Sequence, residues 1–324
     1  DVIVELAGEG IDTVESLVSH VLAAEVEQLR LVGSAAVDGT GNAAANLLTG
    51  NVAANHLYGA AGNDTLVGDE GADTLYGGAG DDLYRLVDAD VVVELAGEGV
   101  DTVESSVDTV LAAEVERLLL QGSARAGTGN ALANEIVGTG GDNVLDGGGG
   151  QDTLTGGLGD DLYRVDQSLD VVVEQSAAGQ DTVESSASYI LPSFFENLTL
   201  VGASAIDGRG NTAANVITAT TSGKRLFGMR TKRAPSKVLW NASAIRSFVM
   251  WASTLTKLVA KMPRVSGALT GTKWSTSPSA PACVSVCRIS PTRTGKPSRP
   301  RSSRSRTRCC TTRPSRYAST PPRR

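Results

Sequence analysis

The chain has 324 residues, with 36 acidic and 29 basic side chains and a formal net charge of −7. That average hides two unlike pieces: residues 1–218 carry all 36 acids with six Arg and no Lys, while 219–324 carry 23 basic residues and no acid. Every Cys, Met and Trp also falls after residue 222, so no disulfide staples the acidic piece, and no run reaches the roughly 18 apolar residues of a membrane span.

The chain opens at Asp1 in the middle of a pattern that recurs later, which predicts a fragment lacking its N-terminal neighbour. DVIVELAGEGIDTVES at 1–16 returns as DVVVELAGEGVDTVESS at 90–106 and as DVVVEQSAAGQDTVESS at 170–186. Between these copies run arrays with a period of nine. The first, 46–85, places Asn46, Asn55, Asp64, Asp73 and Asp82 in phase, each followed two places later by Leu48, Leu57, Leu66, Leu75 or Tyr84. The second, 134–164, uses Asn134, Asn143, Asp152 and Asp161 with Ile136, Leu145, Leu154 and Tyr163. A third starts at 215–218 with Asn215 and Ile217 and then fails: the next position due for the polar residue is Lys224. The organisation expected is therefore inter-array units at 1–45, 86–133 and 165–214, the arrays between them, and a basic tail from 219.

The copies of the long unit begin at Asp1, Asp90 and Asp170, so the second interval is shorter than the first by one nonapeptide. This reads as loss of one rung from a coil whose register survives. A solenoid tolerates it. Each nonapeptide reads as a turn plus a short strand. Glycines at its first and fourth positions allow positive backbone angles, and an apolar residue points inward where rungs stack. Further short strands are expected around Val91–Glu94, Thr102–Ser105 and Arg117–Leu120. The segment LAAEVERL could form a helical turn, but its counterpart SFFENLTL has poor helical character, so the helix is disfavoured.

If two nonapeptides make one coil, Asp64 and Asp82 share an edge and Asp73 lies on the other, next to Asn55. Calcium takes six to eight oxygen ligands in adaptable geometry. The candidates are the carboxylates of Asp64, Asp73, Asp82, Asp152 and Asp161. Exposed carbonyls are expected from Gly59, Gly62, Gly68, Gly71, Gly77, Gly80, Gly147, Gly150, Gly156 and Gly159. Stacked carboxylates repel without a counter-ion, so folding should be coupled to the metal. Magnesium fits less well because it wants a rigid octahedron, and zinc lacks thiolates and clustered imidazoles. The asparagine rungs are expected to be metal-free. Asp81 and Asp160 read as exposed, solubilising acids.

The stretches GDEGADTLY, GGAGDDLYR, GGGGQDTLT and GGLGDDLYR resemble the GGxGxDxUx nonapeptide of RTX, or haemolysin-type, calcium-binding repeats. The resemblance covers 1–218 and is most specific in 59–85 and 138–164. It implies an all-β, right-handed parallel β-roll, a bacterial protein exported by type I secretion machinery, and folding outside the cell or at its surface. Ala60 and Asp69 replace turn glycines of that pattern, so those turns should be altered.

No HExxH or GxSxG is present, and the repeated acids read as a structural set, so this chain is expected not to be an enzyme. The alternatives are a metal-free structural or adhesive solenoid, or an accessory domain of an enzyme that preceded Asp1. In the tail, Cys283, Cys287, Cys309 and Cys310 lack finger spacing and a histidine, so no nucleic acid partner is expected. A shifted reading frame explains the tail best, ahead of a disordered tail or a basic binding segment, and no packed domain is expected in 223–324.

Overall fold

The structure is a computed structural model that describes residues 3–228, apart from 7, 9 and 222, together with the backbone of a short strand at Lys237–Val238. Its strands are two to six residues long and every pairing is parallel. Successive strands alternate between two stacks. One stack is a ten-stranded sheet running from Thr13–Ser16 to Val171–Val173, followed by a three-stranded sheet. The other is a five-stranded sheet followed by an eight-stranded one. The result is an all-β solenoid of about 12 turns with no helix among the described residues.

The nine-residue period produces this coil because two nonapeptides make one turn. Leu66 pairs in register with Leu48 on one side and Tyr84 on the other, each two nonapeptides away. On the opposite stack Leu57 pairs with Leu75. These residues are fully buried and form one continuous core with Ile136, Leu145, Leu154 and Tyr163. Each buried leucine contributes about 1.5–3 kcal/mol, which a three-residue strand cannot gain alone. Outside the coil, Tyr58 and Tyr76 stack across neighbouring strands at 4.6 Å between ring centroids.

The long units are turns of the same coil. The strands expected there form at Val91–Val93, Thr102–Ser105 and Arg117–Leu120. Their coil length varies: the turn from Val103 to its partner Leu118 is shorter than two nonapeptides, and that from Tyr163 to Val183 is longer. LAAEVERL forms no helix; Glu114 turns the chain at φ 64°, as Glu25 and Phe194 do at the equivalent places.

Two expectations need correction. The single nonapeptide missing between the second and third long units amounts to half a turn, since a full turn takes two. Strands Thr13–Ser16 and Thr102–Ser105 therefore lie in the ten-stranded sheet, while their counterpart Thr182–Ser185 lies in the opposite stack. The coil also continues past residue 218, through strands Val216–Ala219 and Arg225–Phe227, with Leu226 in the core. Lys224, which occupies the polar position there, is 1% exposed and donates from Nζ to the carbonyls of Val201 and Gly202. Burial lowers its pKa. Of the stretch 223–324, where no packed domain is expected, residues 223–228 continue the coil, and apart from the short strand at Lys237–Val238 the remainder lies outside the described residues. No helix among the described residues is long and apolar enough to cross a membrane.

Candidate metal centre

Each aspartate of the arrays stands at the mouth of a strand, where the chain leaves its glycine turn. All five are buried: Asp64, Asp73, Asp82, Asp152 and Asp161 are at most 2% exposed. One oxygen of each has a structural task. The Oδ1 of Asp64 accepts the backbone N–H of Asn46 at 2.7 Å, and that of Asp82 accepts the N–H of Asp64 at 2.7 Å. On the opposite edge Asp73 accepts from Asn55 at 2.7 Å. In the second array Asp152 accepts from Asn134 and Asp161 from Asn143, at 2.9 and 2.7 Å. The carboxylates thus form ladders along the solenoid, each holding the turn before it. Asp64 and Asp82 share one edge as expected, whereas Asp152 and Asp161 lie on opposite edges.

The second oxygen has no such task. The Oδ2 atoms of Asp64, Asp73, Asp82, Asp152 and Asp161 are buried without a hydrogen-bond partner. A buried carboxylate oxygen left this way costs several kcal/mol if charged. Burial accordingly pushes Asp64 and Asp152 up to about 6, and Asp82 and Asp161 up to about 7. Asp73 is raised for the same reason.

The first-position glycines are needed for a reason other than backbone angle. Gly59, Gly68, Gly77, Gly147 and Gly156 lack positive φ, which corrects the sequence-based expectation. A Cβ on any of them would strike the orphan Oδ2 of its own repeat's aspartate. At Gly59 it would also meet the carbonyl oxygen of Gly77, one turn on. Carboxylate and carbonyl oxygens therefore converge over a bare glycine. The fourth-position glycines Gly62, Gly71, Gly80, Gly150 and Gly159 do take positive φ, from 108° to 142°. Ala60 and Asp69 hold positive φ of 87° and 68° in place of glycine, so the turn keeps its path despite the substitution.

These donors fit a hard divalent cation. All are oxygens, the aspartates bring the negative charge, and their unpartnered atoms face the bare glycines of their own turns. The asparagine rungs differ. Asn55 is 1% exposed, accepts the N–H of Asn51 at 2.8 Å and donates from Nδ2 to the carbonyl of Val37 at 2.6 Å. Asn134 does the same with Asn130 and Val115.

Several ladder members were missed from the sequence. Asp90, Asp101, Asp170 and Asp181 continue the rows, accepting N–H groups from Asp73, Asp82, Asp152 and Asp161 respectively. They stand at the heads of the DVVVE and DTVES motifs; Asp170 keeps the nine-residue phase of its array, whereas Asp90, Asp101 and Asp181 fall at uneven spacings that a strict count skips. A second missed signal is GNxxAN, at 41–46, 50–55, 129–134 and 210–215. Its first asparagine closes the turn: Asn42 donates to the carbonyls of Ala23 and Val26 and accepts from Ala44.

Residues 40–75, 49–84 and 128–163 match the family model of the RTX calcium-binding nonapeptide repeat (4 copies). Comparison with curated proteins found no match to the chain.

Proposed function

Since the chain carries RTX calcium-binding repeats wound into a β-roll, we propose that it folds around calcium as a module of a secreted bacterial protein. The observation that carries this reading is the set of five buried aspartate oxygens without partners. Without a cation these groups must either protonate or repel one another, so the metal-free coil is strained along both edges. Calcium supplies the missing charge when bound. The chain's own part is to hold one oxygen of each carboxylate in the ladder and aim the other across a glycine. Export through type I machinery and residence outside the cell are supported by the family's habit and by the cysteine-free solenoid. The module itself has a binding and structural role, and no catalytic task is assigned to it.

Calorimetric titration of the full chain with Ca²⁺, alongside Mg²⁺, tests this. The expected result is calcium-selective heat accompanied by a gain in β-sheet circular dichroism. Absence of both would favour a metal-free structural or adhesive solenoid.

A further inference from the structure

The last nonapeptide of each array has no further nonapeptide to complete its edge, yet a similar group of oxygens gathers there. Asp82, Glu94 and Asp101 each place a carboxylate oxygen within 4.8 Å of the others, and Asp161, Glu174 and Asp181 do likewise. All six residues are buried. Only the first member of each trio belongs to an array; the others come from the long unit that follows.

Register explains how Glu94 arrives. Val92 and Val93 pair with Leu75 and Tyr76, so the next residue, Glu94, stands one turn on from Gly77. Likewise Val172 and Val173 pair with Leu154 and Thr155, which brings Glu174 above Gly156. Where the array would offer the carbonyl of another first-position glycine, the long unit offers a carboxylate. Space is kept for it, because a Cβ on Gly77 would meet Asp82 Oδ2, the Tyr84 hydroxyl and Glu94 Oε1 together.

Tyrosine is the second independent sign. The inward residue of the other charged rungs is leucine, but the last rung of each array has Tyr84 or Tyr163. Each ring lies fully buried in the core, and its hydroxyl donates to Glu94 or Glu174. Tyr163 also accepts the N–H of Gly156 at 2.7 Å. The tyrosine fixes one glutamate oxygen. In the first cluster the other, Glu94 Oε2, remains buried without a partner, as does Asp82 Oδ2; these residues are 7% and 2% exposed.

We propose that Asp82, Glu94 and Asp101, and equivalently Asp161, Glu174 and Asp181, each hold one further calcium ion that closes the C-terminal end of an array. This rests on the calcium reading of the repeats but adds ligands that no nonapeptide contains. Calcium is the cation favoured because every donor is a hard oxygen and the trio carries up to three negative charges. Tyr84 and Tyr163 are positioning residues, each orienting its glutamate from inside the core.

The test is equilibrium dialysis of radioactive calcium against the full chain and its Glu94→Gln/Glu174→Gln double variant. Two fewer ions per chain are expected in the variant, with the remaining sites unchanged. Tyr84→Phe gives a second measurement that spares every ligand and should weaken one site by about 10–100-fold, as loss of an orienting partner does at metal sites. Equal stoichiometry and affinity in all three proteins would overturn the proposal while leaving calcium binding by the repeats intact. A wild-type chain that binds no calcium would sink both. If the double variant fails to fold, the tyrosine variant alone decides: an undiminished full set of sites would reject the closing ion.

Discussion

The coil builds the same buried position in two chemistries. At Asn46, Asn55, Asn134 and Asn143 an amide closes the turn; at Asp64, Asp73, Asp82, Asp152 and Asp161 a carboxylate does. Both kinds are nearly inaccessible. The amide satisfies itself, accepting an N–H from its own turn while its NH₂ donates to a carbonyl of the turn before. The carboxylate reverses the polarity of that second contact: it accepts from the turn before and leaves an oxygen over. An asparagine rung therefore contains its own positive end, and an aspartate rung needs one supplied. Each array begins with asparagine and ends with aspartate, so metal dependence should concentrate toward its C-terminal side.

The largest effect that could break this comparison comes from converting all five array aspartates to asparagine. The variant should lose most of the calcium-induced stabilisation, about 2.7 kcal/mol per site at a calcium concentration 100-fold above Kd. Its metal-free form should be as stable as the parent or more so. Urea melts with calcium and with chelator measure both, and undiminished calcium stabilisation would mean that these carboxylates are not ligands.

Acidity sharpens the contrast next. Folded Asp64 and Asp152 titrate near 6, and Asp82 and Asp161 near 7, against 3.8 for an ordinary aspartate. Without calcium the native state holds more protons than the unfolded state across that interval. The contribution of these groups to stability should therefore be fully present below the ordinary value and be lost as pH rises toward 7. Calcium needs the ionised form, so its midpoint should move to higher concentration as pH falls from 8 to 5.5. Thermal melts in chelator that are flat with pH would contradict the burial of these groups.

Asn55→Ala probes the other kind of rung. It removes two hydrogen bonds from a buried turn and should cost about 1–3 kcal/mol, equally with calcium and with chelator. A cost seen only in calcium would place a metal at this rung. The smallest change is Ala60→Gly, which relieves a left-handed alanine and should stabilise by about 1 kcal/mol, read as a shift in urea midpoint.

Much of the architecture was legible because its period is strict. A nine-residue phase shared by aspartate, leucine and glycine specifies stacked turns, and Leu48, Leu66 and Tyr84 fall into register as a direct result. The edge placement of Asp64, Asp73 and Asp82 followed from the same count. What stayed hidden lies where the period stretches. Asp90 reaches its ladder one place short of a regular turn and Asp101 one place beyond it, because the long units vary their loops while keeping strand pairing. Glu94 was invisible as a partner of Gly77 because their relation is one of stacking across a turn, with no shared motif. The role of the first-position glycines was misread for a similar reason: the atom that forbids a Cβ belongs to the aspartate at the far end of the same turn.

The half-turn between successive nonapeptides has a consequence for what the surface displays. Arg85 and Glu104 pair outside the ten-stranded sheet, while their counterparts Arg164 and Glu184 pair outside the eight-stranded sheet of the other stack. The same decoration thus stands on opposite stacks, and the second array is one repeat shorter than the first. An even change in that number restores the aspect of everything downstream; an odd change reverses it. Parity is therefore a heritable property of the array. Gaining or losing the codons of a single repeat aims a surface without altering one residue of it.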